Sequence, residues 1–317
     1  RVDLLGEGLR APVITTYKAK GALPEGQGWS AGAASLSPRV DAIHRELVDQ
    51  ADGLLLLGWD PVELRDHWLP GWGDAPSVVA LDSHVPTDIP ARLDAVATGD
   101  IPLLVRSLVD QLGEPSSAWS PSEVAAHRQR WGALFQEDTF GPATAVRAVQ
   151  AGITPDTVVT LDVGAHRITA SHAFECARPN TLLQSNGLAS MGYGLPAALA
   201  AAALGRPAVC ITGDMGLQMT LGELGVAAER GWPVTVVVFD DASLSLIALK
   251  QARLGLPSRA MGFANPDWAH LAAAFGGTGV QAPDPTALTA AVRASLRRSG
   301  PTVISVPIDP SLYRTQM

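Results

Sequence analysis

Two aspartates that follow separate apolar runs could together hold a hard cation. Asp214 comes after the run at 208–212, and Asp241 comes after the run at 234–239, 27 residues beyond Asp214. This spacing has room for one crossover helix and a return strand, so we expect both carboxylates at the carboxyl ends of neighbouring parallel strands. Magnesium prefers oxygen ligands and keeps waters and phosphates in its shell, so two aspartates, a backbone carbonyl and a diphosphate are sufficient. The alternative is that both are ordinary turn and cap residues.

The elements that position these carboxylates lie in the second of two expected domains. A polar stretch at 113–122 contains proline and has no apolar period, so it predicts a linker between domains at 1–112 and 123–317. Strand-like and helical runs alternate on both sides of it, which predicts an α/β fold with two doubly wound parallel-sheet domains, the first Rossmann-like. The predicted strands are 12–16, 54–58, 78–82, 157–163, 208–212, 234–239 and 302–309, and the predicted helices are 39–50, 101–112, 123–135, 142–151, 194–204 and 220–230.

Composition excludes several classes of partner. The net charge is −8 and no basic cluster offsets it, so we expect no nucleic-acid partner and no binding to anionic membranes. No apolar run is long enough to span a bilayer and no signal peptide is recognisable, which favours a cytoplasmic protein. The two cysteines, Cys176 and Cys210, fall in a predicted loop and a predicted strand, so a disulfide framework is not expected.

Three further blocks of sequence occur in a fixed order around the aspartates. They are Asp-Val-Gly-Ala-His at 162–166, Asn-Gly-Leu-Ala-Ser-Met-Gly-Tyr-Gly-Leu-Pro-Ala at 186–197, and the run from Pro12 to Glu25. Together with Gly213-Asp214 and Asp240-Asp241 they are similar to thiamine diphosphate enzymes of the acetolactate synthase and pyruvate oxidase superfamily. In that family the last two motifs read Gly-Asp-Gly and Asn-Asn. The resemblance covers nearly the whole chain and implies a central domain followed by a diphosphate-binding domain.

The resemblance also implies a role for particular residues. Asp214, Asp241 and the carbonyl of Ser243 take the positions of the Mg²⁺ ligands. Met191 takes the position of the residue that holds the cofactor bent, and the Ala189 carbonyl that of the acceptor for its amino group. The implied cofactor contacts are His166, Ala189, Met191, Gly213, Met215, Gly216, Ser243 and Leu244.

Three departures from the family pattern bear on cofactor binding. Met215 replaces the glycine whose amide approaches the diphosphate closely in the family. Asp241 replaces asparagine, which keeps an oxygen ligand and adds a negative charge that attracts the cation and repels the diphosphate. Ala165 replaces a glutamine that contacts the diphosphate. Met215, Ala165 and Gly216, which stands in place of the family's frequent serine, support a second hypothesis, a non-catalytic scaffold or regulatory subunit that has lost the cofactor.

The implied reaction is decarboxylation of a small 2-oxo acid followed by carboligation, as in acetolactate synthases. A simple 2-oxo acid decarboxylase or lyase is the alternative. Lys250 stands where biosynthetic relatives carry a tryptophan, so it is either a substrate contact or a solvated helix lysine. The central domain carries FAD in some relatives, but no Gly-rich dinucleotide turn supports a flavin here.

The catalytic glutamate of the family lies on a pyrimidine-binding domain that has no counterpart in these 317 residues. We therefore expect no catalytic residue in this chain, a central domain that lacks its opening strand, and a trimmed or naturally split enzyme. A second polypeptide would supply the glutamate, in a homo- or hetero-oligomer with at least two of each domain. We expect the isolated chain to be inactive.

Overall fold

The computed structural model describes residues 2–60, 68, 72, 77–86, 92–113, 119–257 and 259–317. The chain forms two compact units, Arg1–Leu134 and Phe135–Met317. This division falls later in the chain than the predicted linker at 113–122, of which residues 114–118 lie outside the described residues. The helix that begins at Pro121, which the sequence assigns to the second domain, belongs to the first unit.

In its described residues, the first unit contains small parallel sheets and four α-helices. Strands β1 and β2 pair in parallel, and so do β3, β4 and β5, which form a separate sheet in the described residues. The sequence predicted β1, β3 and β4 but not β2, because its residues Ser-Ala-Gly-Ala-Ala lack the branched and aromatic side chains typical of strands. The elements are α1 Val2–Leu9, β1 Val13–Thr16, β2 Ser30–Ala34, α2 Pro38–Val48, β3 Leu54–Leu57, β4 Val78–Asp82, β5 Ala95–Thr98, α3 Ile101–Gln111 and α4 Pro121–Gly132.

Helix α4 is held in the first unit by a tryptophan that packs on β2. Ser120 caps the helix and forms a capping box with Glu123. The Trp131 indole N–H donates to the Ala31 carbonyl at 2.9 Å, and its ring lies so close to Gly32 that an added Cβ would be 2.6 Å away. The domain boundary therefore follows α4, and the physical reason is this contact, which the linker-like composition at 113–122 does not reveal.

The second unit is a six-stranded parallel sheet with helices on both faces, which confirms the predicted α/β class. The strand order is β10-β11-β9-β8-β6-β7. Helices α7, α9 and α11 share a core with alternate residues of the central strands, whereas α6 and α12 contact the same strands outside that core. The elements are α5 Pro142–Gly152, β6 Val158–Leu161, α6 Ala165–Ala173, β7 Leu182–Gln184, α7 Gly194–Ala203, β8 Ala208–Gly213, α8 Asp214–Gln218, α9 Glu223–Arg230, β9 Val234–Asp240, α10 Ser245–Arg253, α11 Trp268–Ala274, β10 Thr278–Gln281, α12 Pro285–Ser295, β11 Thr302–Pro307 and α13 Tyr313–Gln316.

Apolar length and burial explain why these central strands were predictable. Residues 234–239 of β9 are all buried, and a continuous apolar run is typical of a strand covered on both faces. None of the helices in the described part of the chain is both long and apolar enough to cross a membrane.

Two buried histidines join α2 to α4 in the first unit. His44 Nε2 donates to the Ala33 carbonyl at 3.2 Å, so its Nδ1 accepts from His127 Nε2 at 3.0 Å. Burial lowers the pKa of His44 from 6.5 to about 3 and also lowers the pKa of His127. The folded state thus holds both rings in the neutral form.

We predict that the first unit loses stability in mild acid through His44. Below pH 6.5 His44 is protonated in the unfolded chain, whereas in the folded state it stays neutral down to about pH 3. Stability therefore falls as pH falls through this window, by up to about 1.4 kcal/mol per pH unit. Hydrogen exchange of β2 amides, measured by mass spectrometry between pH 7 and pH 5, reports the local unfolding free energy.

A matched pair of variants assigns the effect. His44→Gln should flatten the pH dependence of the unfolding free energy, whereas His84→Gln should leave it as in the wild type, because the His84 side chain is 76% exposed. Equal slopes for the wild type and His44→Gln would contradict this prediction.

Candidate cofactor-binding site

The two predicted metal ligands lie at the carboxyl ends of neighbouring strands. Strands β8 and β9 are adjacent and parallel, with Gly213 paired to Phe239. Asp214 is the first residue of α8, directly after β8, and Asp241 directly follows β9. Their strands therefore end at one edge of the sheet, where open α/β sheets bind ligands.

Asp214 is a buried carboxylate held by three hydrogen bonds. Its Oδ1 accepts from the Met215 amide at 2.7 Å, and its Oδ2 accepts from the Ala242 amide and from Asn265 Nδ2, both at 2.7 Å. Burial raises the pKa of Asp214, and these donors oppose the increase. The side chain is fixed in one orientation, with its oxygens shared between α8 and the turn after β9.

Asp241 is a half-buried carboxylate bonded within its own turn. It accepts from the Ser243 amide at 3.0 Å and from Ser245 Oγ at 2.6 Å. Burial and, to a smaller extent, the negative charges of Asp214 and Asp240 raise the pKa of Asp241 to about 7, although its bonds from Ser245 and Ser243 oppose the increase. A positive ion beside Asp241 would remove this penalty on the charged form.

The donor set of this edge fits a magnesium ion that shares its shell with a diphosphate. A carboxylate offers about four lone-pair positions. Asp214 uses three of them for its hydrogen bonds and keeps one, and Asp241 uses two and keeps two. The antiparallel bridge between Ser243 and Gly262 uses Ala242 O and Leu244 N, and the Ser243 carbonyl takes no part in it. The described residues hold no cluster of three or more His, Cys, Asp or Glu arranged for a metal, so water and phosphate oxygens would complete the shell.

Two turns of the site keep a left-handed backbone although they carry alanine. Ala242 has φ +52° and Ala189 has φ +50°. Both positions are glycine in the family pattern that the chain resembles, and glycine adopts this conformation without the steric cost of a Cβ. The turn geometry is therefore kept at the expense of some strain.

Asp162, which follows β6, fixes the start of α7 and with it the turn that carries Ala189 and Met191. The Asp162 carboxylate is buried and accepts from the Gly194 amide at 3.3 Å and from Thr212 Oγ1 at 3.1 Å. The Gly194 carbonyl accepts from Thr160 Oγ1 at 2.7 Å. Met191 and Ala189 are both half-buried, three and five residues before this anchor.

Position 216 must be glycine because the Asp162 carboxylate packs directly against it. A Cβ at position 216 would lie 2.0 Å from Asp162 Oδ2 and 2.9 Å from Thr212 Oγ1. The side chain of Met215, by contrast, is half-exposed, and its amide is used by Asp214. In this arrangement the Met215 amide donates to Asp214, the predicted metal ligand, whereas the sequence predicted a contact with the diphosphate.

The His166 ring packs against Gly213 at the end of β8. Its Nε2 donates to the Asp162 carbonyl at 3.1 Å, and an added Cβ on Gly213 would lie 3.2 Å from its ring. Burial lowers the pKa of His166 to about 4, so the ring is neutral near pH 7 and its Nδ1 has no proton to donate. Donation from His166 to a diphosphate would therefore require either protonation of the ring or loss of its bond to the Asp162 carbonyl.

The remaining predicted residues lie on or before α10. Leu244 is half-buried and precedes the helix, where its amide donates to the Met261 carbonyl at 2.8 Å. Lys250 is exposed on the last turns of α10, and Ile247 is 44% exposed. The sequence missed Asn265, because its only local signal is the turn-forming Asn-Pro-Asp at 265–267 that precedes α11.

Comparison with known proteins agrees with this geometry. Residues 162–306 match the family described as thiamine pyrophosphate enzyme, C-terminal TPP binding domain. The chain is 27% identical over 318 residues to an acetolactate synthase of Bacillus subtilis, covering 95% of this chain and 54% of that protein. It is 29% identical over 324 residues to the acetolactate synthase large subunit of Parasynechococcus marenigrum, with 96% and 51% covered. It is 30% identical over 319 residues to a probable 2-ketoarginine decarboxylase of Pseudomonas aeruginosa, with 95% and 54% covered.

These matches and the parallel α/β sheet relate the second unit to the cofactor-binding domain of thiamine diphosphate-dependent enzymes. Over nearly its whole length the chain is similar to acetolactate synthases, as the sequence motifs implied. It spans about half the length of the relatives it matches.

We predict that Gly216→Ala destabilises the second unit by roughly 1–3 kcal/mol, because its Cβ would overlap Asp162 Oδ2. Urea unfolding followed by circular dichroism measures the change. Gly222→Ala is the matched control, because an added Cβ at Gly222 meets no atom within 4 Å. Equal stability of the two variants would show that α8 can move away from Asp162.

Proposed function

We propose that the second unit binds thiamine diphosphate through a magnesium ion held by Asp214, Asp241 and the carbonyl of Ser243. The observation that carries this proposal is the convergence of the two buried or half-buried carboxylates at adjacent strand ends, with acceptor positions left on both. The family match over 162–306 supports the identity of the cofactor. Met191 and Ala189 would contact the rest of the cofactor from the turn that Asp162 anchors.

The substrate we propose is a small 2-oxo acid, with pyruvate as the first candidate. When bound, thiamine diphosphate supplies the carbon nucleophile that adds to the keto carbon and accepts the electrons left when carbon dioxide departs. This chain's residues bind the cofactor, orient it and fix its turns. Acetolactate formation is favoured because several of the matched relatives are acetolactate synthases.

We further propose that the glutamate needed to activate the cofactor comes from a pyrimidine-binding domain outside these 317 residues. The relatives are about twice as long as the portion matched here, so the chain would act as one part of a larger enzyme or oligomer. Lys250, exposed on α10, is proposed as a substrate contact in that assembly.

Two other functions are each favoured by one observation. Decarboxylation without carboligation is favoured by the match to the probable 2-ketoarginine decarboxylase. A scaffold that has lost the cofactor is favoured by Met215, whose side chain stands at the position of the family's glycine and whose amide is bonded to Asp214. Binding and product measurements separate these functions.

We predict saturable binding of thiamine diphosphate to the full chain when Mg²⁺ is present, measured by isothermal titration calorimetry. Asp214→Ala should abolish it, because the cation would lose a ligand. Asp284→Ala is the matched control. Asp284 is an exposed aspartate at the start of another helix, α12, and its variant should bind the cofactor like the wild type. Absence of wild-type binding would favour the scaffold.

We predict that the chain alone does not turn over pyruvate, and that a pyrimidine-binding domain added as a second polypeptide restores turnover. Nuclear magnetic resonance with ¹³C-labelled pyruvate distinguishes acetolactate, the product of carboligation, from acetaldehyde, the product of simple decarboxylation. Turnover by the chain alone would contradict the proposed division of the active site.

A further inference from the structure

A single amide joins the two acidic strand ends of the site. Asn265 lies in the segment between α10 and α11, outside all the predicted motifs. Its Nδ2 donates to Asp214 Oδ2 at 2.7 Å and also to Asp240 Oδ1, so both amide hydrogens are directed at carboxylates. Its Oδ1 accepts from Gln218 Nε2 at 3.2 Å. The orientation of the amide is thereby fixed, because the reversed amide would place its oxygen against two carboxylates.

The family pattern has asparagine at the position of Asp240, and this change to a carboxylate increases the need for a donor between positions 214 and 240. A carboxylate at 240 can only accept, and it does so from Asn265, from Trp268 Nε1 at 3.0 Å and from Ser305 Oγ at 3.3 Å. Asp240 therefore cannot itself donate to Asp214. Among the side chains described as bonded to Asp214, Asn265 is the one that reaches across to β9 and separates the two negative groups.

Two bonds with different consequences meet at Asp214 Oδ2. The Ala242 amide ties that oxygen to the turn of Asp241, and the Asn265 amide ties it to Asp240. Without the Asn265 donor, only two backbone amides would hold Asp214 against the repulsion of the like-charged Asp240. A carboxylate turned by that repulsion would change the direction of its remaining acceptor position, which is on Oδ1.

We propose that Asn265 is a positioning residue for the divalent cation: it holds Asp214 against the repulsion of Asp240, with Oδ2 bonded to the turn that carries Asp241. This inference rests on the proposed function, because it assigns a role at the same metal site. Asn265 does not itself bind the metal. Partners of this kind, which orient a metal ligand, typically change metal affinity 10- to 100-fold when removed.

The test measures the affinity of the full chain for Mn²⁺ at a fixed concentration of thiamine diphosphate, by electron paramagnetic resonance of the unbound ion. Asn265→Ala should weaken Mn²⁺ binding about 10- to 100-fold. Asn265→Ser keeps one donor and should give a smaller loss, and it serves if the alanine variant does not fold. Circular dichroism without metal checks that each variant is folded.

Two matched controls distinguish positioning of Asp214 from general support of this edge. Trp268→Phe and Ser305→Ala each remove a bond to Asp240 and none to Asp214. Both should keep Mn²⁺ affinity within about twofold of the wild type, well below the change expected at 265.

The outcomes separate this inference from the function on which it rests. Wild-type binding together with unchanged binding by folded Asn265→Ala would overturn the inference and leave the proposed function intact. An equal loss in the two control variants would also overturn it. Failure of the wild type to bind Mn²⁺ with thiamine diphosphate would overturn the proposed function and the inference together.

Discussion

The structure of the site depends on carboxylates buried at the ends of parallel strands. Removing a carboxylate from water is unfavourable unless donors or a cation replace the lost hydration. Asp214 has three donors and Asp162 has two, and each set of donors ties its carboxylate to other segments of the chain. The pKa of Asp241 is raised to about 7, mainly by burial, so a positive ion beside it would stabilise its charged form. The requirement to satisfy these groups shapes the turns around them.

The same requirement explains the residue types at four other positions of the site. Gly216 leaves space for the Asp162 carboxylate, and Gly194 brings the start of α7 within reach of it. Alanines at 189 and 242 accept a left-handed backbone, which keeps the turn geometry in which the Ala242 amide reaches Asp214. The turn sequences thus differ from the family's glycine-rich pattern, whereas their backbone conformations are those that glycine favours.

Much of the second unit could be predicted because its central strands are long, apolar and buried. Strands β8 and β9 and the position of Asp214 and Asp241 at their ends follow from hydrophobic runs and spacing. Asn265 and Asp162 could not be assigned in the same way, since their contacts join positions 25 to 51 residues apart and depend on packing. In the first unit β2 is made of small residues without strand propensity, and α4 is joined to it by Trp131, so the division between the two compact units falls later in the chain than the predicted linker.

The central claim is that Asp214 and Asp241 hold one divalent cation together with a diphosphate. Anomalous diffraction from a crystal of the full chain grown with Mn²⁺ and thiamine diphosphate tests it most directly. The account predicts one manganese peak about 2.0–2.2 Å from an oxygen of each aspartate and from the Ser243 carbonyl, with cofactor phosphate oxygens in the same shell. A cofactor bound without manganese at these residues, or a manganese ion coordinated elsewhere, would contradict it.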